Sequence, residues 1–176
     1  QGGRPHLGLT LTHHPQSTLM ATDTFSAEDQ QALYFSRSDT GQHLGTYGAY
    51  PFSLDGSAWP TAEHYYQAMK FAEPAYQEKI RLAATPAQAR KLGRSRLKRI
   101  RRDWRNVKIA YMTRAIYTRY KTHSDLGAQL SQSDVKLVEN SQYDYFWGCG
   151  RDRRGNNHYG QVLMNVREKL CQEAQE

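Results

Sequence analysis

Three residues of the stretch AWPTAEHYYQAMKF, Glu63, Gln67 and Lys70, carry side chains that could share one reaction. Pro60 and Thr61 mark a helix start with Thr61 as N-cap, because its hydroxyl can accept from an otherwise unpaired backbone amide. At 3.6 residues per turn the three polar residues then share one face, opposite Tyr65, Ala68, Met69 and Ala72. A carboxylate there could act as base or cation stabiliser, and the amine could attack a carbonyl carbon or bind phosphate. The same spacing also suits a solvent-facing stripe with weak helix pairs, and the helix dipole alone favours Glu in the first turn. Spacing leaves both readings open.

A second chemistry-bearing region is VENSQYDYFWGCGRDRRGNNHYG, residues 138 to 160. Here Asp144 offers a second carboxylate, its flanking aromatics could wall a site, and glycines with Arg and Asn could meet phosphate. The alternative is an aromatic anchor under a turn, with Gly148, Gly150 and Gly155 meeting positive-φ demands.

The charge balance points to an anionic partner. The 176 residues carry a formal charge of +7, and residues 90 to 105, RKLGRSRLKRIRRDWR, hold nine Lys or Arg against one Asp. A one-sign cluster repels itself unless something neutralises it, so this run reads as a phosphate or nucleic-acid contact surface, against the simpler reading of a solvated face. Twelve Tyr and three Trp outnumber five Phe, so much aromatic area carries a hydrogen-bonding handle. Trp104, beside the basic run, fits a core better than a stacking platform. Cys149 and Cys171 have no metal-ligand spacing and make a weak disulfide framework, which favours a reduced, cytoplasmic chain. No apolar run approaches the roughly 18 residues of a membrane span.

Positioning falls mainly to helices. Residues 1–30, rich in Gly, Thr, Ser, His and Gln, are expected to be a flexible leader, in part an added segment, before a single domain over 31–176. Short aromatic segments fill 33 to 59, where Asp55-Gly56 between FSL and SAW signals a hairpin. Helices are expected over about 61–72, from Pro74 to Ala83, and from Thr85-Pro86 to Gly93. A long helix follows, with one stripe of Trp104, Val107, Tyr111 and Ala115 and another of Ile109, Met112, Ile116 and Tyr120. A helix apolar on two sides is usually central. A shorter helix covers about 124–131. After a loop over 140–158, Gly160 opens a final helix with Val162, Leu163, Val166 and Leu170 on one face. The fold class is mainly α with a small β hairpin near the N-terminal side.

Taken in order, AWPTAEHYYQAMKF, ARKLGRSR with RRDWRNVK, KLVENSQYDYFWGCG and GNNHYGQVLMNVRE resemble the NADAR (NAD- and ADP-ribose-associated) family of YbiA-like N-glycosidases. The likeness runs from about Tyr34 to Leu170. It implies a mainly helical enzyme that hydrolyses N-glycosidic bonds without cofactor or metal. Substrates ascribed to the family are ADP-ribose on the amino group of guanine, removed in an antitoxin-like role beside a toxin partner, and the ribosylaminopyrimidine phosphates of riboflavin biosynthesis. Carried across by motif, Glu63, Trp104, Asp144 and Lys70 are the catalytic candidates. Tyr66, Gln67, Arg94, Tyr143, Trp147, Gly148, Asn157 and Thr46 are the substrate-binding ones. Glu63 is expected as base or cation stabiliser, Asp144 as orienting acid, and Lys70 as phosphate ligand or Schiff-base nucleophile. Both acids and Lys70 should line one cleft opposite the 143–157 loop. Gly45-Thr46-Tyr47 departs from the family's Ser-Asn-aromatic, and Cys149 stands where an acidic or small residue is usual, so substrate preference could differ. From another class, a non-catalytic ADP-ribose or nucleic-acid binding module would also account for the basic run and the aromatics.

Overall fold

The computed structural model describes residues 31–176, and the leader expected over 1–30 lies outside them. The hairpin forms where the turn chemistry predicts. Strand β2 (Phe52–Leu54) pairs antiparallel with β3 (Ser57–Trp59), Phe52 opposite Trp59. Asp55 and Gly56 both take positive φ, 52° and 77°, as a two-residue turn matched to strand twist requires. Arg114 and Tyr65 then bind the Asp55 carboxylate at 2.6 and 2.8 Å, tying the hairpin tip to two helices.

Helix α1 (Ala62–Met69) follows, its first amides capped by Thr61, whose hydroxyl accepts from His64 N. Every residue of α1 is buried, because it packs against α2 (Pro74–Arg81), α3 (Pro86–Gly93) and α4 (Trp104–Thr122) together. Pro at the first helical positions of α2 and α3, and the Thr85 hydroxyl accepting from Gln88 N, explain why those two helices begin where they do. The remaining helices among the described residues are α5 (Ser124–Ser131) and α6 (His158–Glu173). Met112, Ala115, Ile116 and Tyr120 of α4 are sealed against α1 on one side and α6 on the other, whose Tyr159, Val162, Leu163 and Val166 are buried. No helix among the described residues is long and apolar enough to cross a membrane.

Three expectations need correction. Ile109 is 39% exposed, so the second stripe of α4 is buried only from Met112 onward. The last helix begins at His158, and Gly160 lies in its first turn, where a Cβ would overlap the Leu137 carbonyl. A second sheet joins the hairpin: β1 (Leu33–Phe35) runs parallel to β4 (Leu137–Glu139), Phe35 opposite Glu139. Strands of three residues are too short to show a period, and a parallel pair so distant in sequence leaves no turn signal. Cys149 is buried, Cys171 half-buried, and both are free thiols.

Burial sets the expected stability effects. Met112→Ala should destabilise the domain by about 2–5 kcal/mol, while Ile109→Ala should stay within about 0.5 kcal/mol, both measured by urea unfolding followed by tryptophan fluorescence.

Candidate active site

The polar stripe of α1 does not face water. Glu63 is 3% and Gln67 4% exposed, so the carboxylate must be satisfied from within. Thr46 Oγ1 donates to its Oε2 at 2.5 Å, and Gln67 Nε2, one helical turn on, donates to Oε1 at 2.7 Å. Thr46 is itself wholly buried on the 43–46 loop, which Arg119 of α4 holds through the carbonyls of His43 and Gly45. The hydroxyl expected to meet substrate is therefore spent on Glu63.

Asp144 is bound from three directions. Its Oδ1 accepts from the Phe146 and Trp147 amides at 3.1 and 2.8 Å, and Oδ2 accepts from Arg37 Nη2 at 3.0 Å. Arg37, two residues beyond β1, is the group that brings the two acids together. It is 6% exposed and lies within electrostatic reach of Glu63, Glu139 and Asp144. Burial works against its charge, but these three carboxylates outweigh burial and hold the guanidinium above the usual arginine range. Glu139 is fully buried, accepting from Arg37 N, Ser141 N and Ser141 Oγ. Arg37 and Glu139 escaped the motif reading. The only trace of Glu139 is an acid closing the apolar run KLVE, and Arg37 leaves none.

The aromatic candidates form one block. Trp147 Nε1 donates to the Tyr66 hydroxyl at 3.1 Å, and Tyr66 packs on Trp104 with ring centroids 5.2 Å apart. All three are under a tenth exposed, so Trp104 and Trp147 shape the site from behind rather than offering open stacking faces. Burial pushes the Tyr66 phenol well above its usual range. Lys70 Nζ lies 5.5 Å from the Tyr66 ring centre. Its pKa falls from 10.5 to about 8, chiefly through burial; Glu63 opposes the fall, and Arg94, Arg90 and Arg37 add to it.

Beside this block is a groove of ≈ 660 Å³, lined by Arg90 and Arg94 on one side and by residues 141–146 on the other. Asp144 and Arg94 line it as expected of one site, and Tyr143 stands 88% exposed at its edge. Glu63 and Lys70 are not among its lining residues, which corrects the expected cleft: Thr46 and Gln67 enclose Glu63. Two further candidates are turned inward. Gly148 donates its amide to the Asp144 carbonyl, and a Cβ there would come within 2.4 Å of Glu139. Asn157 spends both ends of its carboxamide on β4, on Glu139 N and the Leu137 carbonyl. Each fixes an acid-bearing segment.

A family model described as the NADAR domain matches residues 24–171. The chain belongs to the NADAR family. It is 38% identical to N-glycosidase YbiA of Escherichia coli K12 over 145 residues, covering 82% of this chain and 91% of that protein. The solved NMR structure of E. coli YbiA superposes with a TM-score of 0.75 over 83% of this chain and 88% of the other. An N-glycosidase of Nostoc punctiforme is 44% identical over 66% of this chain and 78% of its own length. A riboflavin biosynthesis protein of Vibrio vulnificus is 36% identical over 92% of this chain, but over only 44% of that protein.

Two outcomes follow for this NADAR domain. A Cβ at Gly93 would sit 2.0 Å from Gln67 Oε1, and Gln67 cannot swing away without leaving Glu63. Gly93→Ala should therefore lower turnover at least tenfold while the chain stays folded, read by assay and circular dichroism together. For Lys70, the folded-state pKa near 8 lies below the ordinary 10.5. Between these values the unfolded chain carries the extra proton, so stability rises with pH across about 8 to 10.5. Below that window the cost of burying the ammonium is fully present. Lys70→Met should flatten this rise in denaturation curves taken from pH 7 to 10.5.

Proposed function

We propose that this hydrolase of N-glycosyl bonds cleaves the ribose C1–N bond of ADP-ribosylated guanine, in DNA or as a nucleotide. Cleavage of that bond develops oxocarbenium character at C1 and negative charge on the departing nitrogen. Glu63, with both oxygens pinned by Thr46 and Gln67, is the fixed anion to stabilise the cation or take a proton from water. Asp144 is an acceptor on both oxygens, since two amides and Arg37 point at it. Its role in this reaction is orientation of water or of a ribose hydroxyl. Lys70, balanced near pH 8, is the group suited to protonate the leaving nitrogen, or in its free form to attack an opened sugar.

The observation that carries the substrate choice is the groove beside Asp144. It pairs Arg90 and Arg94, neither of which makes an ion pair among the described residues, with the exposed ring of Tyr143. A pyrophosphate flanked by a second base uses both features: the guanidinium groups bind phosphate bidentately, and the phenol stacks on adenine. The exposed cations of the 94–105 segment beyond would accommodate a nucleic-acid strand. The second reading, a ribosylaminopyrimidine phosphate, is favoured by the relative named as a riboflavin biosynthesis protein. It leaves Tyr143 without a ligand.

Glu63→Gln should cut turnover by about 10²–10⁴-fold while substrate still binds, with loss of binding or unchanged turnover counting against the assignment. Free ADP-ribose released from ADP-ribosylated guanine nucleotide supports the first substrate. Ribose 5-phosphate released from a ribosylaminopyrimidine, with no ADP-ribose from the other, supports the second. Tight binding without turnover of either would leave a binding module.

A further inference from the structure

We infer that Arg37 is a positioning residue for the glycosidase reaction, using main chain and side chain at once to set Glu63 relative to Asp144. This rests on the reading that those two acids face the reacting sugar carbon. The main-chain half of the link is a short relay. The Arg37 carbonyl accepts from Thr46 N at 2.8 Å and from Tyr47 N at 3.3 Å, and Thr46 Oγ1 lies 3.4 Å from it. That same Thr46 hydroxyl is the donor that pins Glu63. The approach is close enough that a Cβ on Gly45 would come within 2.5 Å of the Arg37 oxygen, so residue 45 must be glycine for the relay to close.

The side chain supplies the other half. It crosses to the 140–157 loop, bonds Asp144 Oδ2 at 3.0 Å, and passes the rings of Trp147 and Tyr159 at 6.0 Å each. The groups facing it come from every packed element: Glu63 and Tyr66 from α1, Lys70 just after it, Glu139 from β4, Asp144 from the loop and Tyr159 from α6. Arg37 Nε is a buried donor with no partner. The guanidinium is placed where its charge is wanted, between acids that would otherwise repel. One cation among three carboxylates also leaves the cluster with surplus negative charge beside a reaction that develops a cation. Arg37 thus sets where the acids lie and supplies the positive charge between them.

The test uses the whole chain with ADP-ribosylated guanine nucleotide, or with ribosylaminopyrimidine phosphate if that is the substrate turned over. Arg37→Gln should lower kcat by 10²-fold or more with KM changed less than threefold. It should also move the acid limb of the pH–rate profile upward by about one unit, because a nearby cation is lost. Arg37→Lys, which keeps charge but not reach, should hold the limb in place and recover only part of kcat. Turnover per folded molecule within threefold of the parent, or a loss matched by the unfolded fraction with no movement of the limb, overturns the inference. Should Arg37→Gln not fold, Arg37→Lys decides: a tenfold fall in kcat at unchanged limb supports positioning, and parental kcat refutes it. Glu63→Gln separates the two levels, since an active Glu63→Gln defeats the underlying reading, whereas an inactive one beside an active Arg37→Gln defeats only this inference.

Discussion

Burying carboxylates is the constraint from which the rest of this architecture follows. Glu63, Glu139 and Asp144 are drawn around one guanidinium, the first two almost wholly removed from water. An ion taken out of water costs several kcal/mol even after relaxation, so each oxygen must find donors held in place by the fold. Those donors come from four separate stretches: the 37–47 segment, α1, Ser141 and the amides of residues 146–147. The parallel pairing of β1 with β4 is what brings the first and the third of these side by side.

The same constraint accounts for the glycines and small residues nearby. Gly45 lets the Arg37 carbonyl approach Thr46, Gly148 leaves room for Glu139, and Gly93 leaves room for Gln67. A methyl group would displace the Arg37 carbonyl at the first, the Glu139 carboxylate at the second and the Gln67 side chain bonded to Glu63 at the third. Arg119, fully buried in α4, braces the 43–46 loop from below, so a helix far from the chemistry fixes the orientation of the Thr46 hydroxyl. The preorganisation is electrostatic: fixed donors hold fixed anions before any ligand arrives.

Around this rigid centre the cations fall into two environments. Lys70 is buried enough to lose much of its preference for charge, which makes it a group that can change protonation near neutral pH. Arg90 and Arg94 line the open groove, where they can meet phosphate. In the proposed reaction, anion binding and proton transfer would thus be divided between groove and interior by exposure.

Much of the scaffold was legible in the residues themselves. Thr61 and Thr85 as caps, Pro at the helix starts, and Asp55-Gly56 in the hairpin are local devices whose energetics depend on near neighbours, so they read correctly in isolation. The motif likeness likewise singled out Glu63 and Asp144, and Lys70 with them. Tertiary structure alone decided that the polar stripe of α1 faces inward, because three helices and a loop close over it from all sides. It also decided that Thr46, Gly148 and Asn157 hold the acids or the segments that carry them, and that Arg37 joins them. Which donors satisfy a buried charge depends on contacts between segments up to about a hundred residues apart, and no periodicity or short pattern records such a meeting.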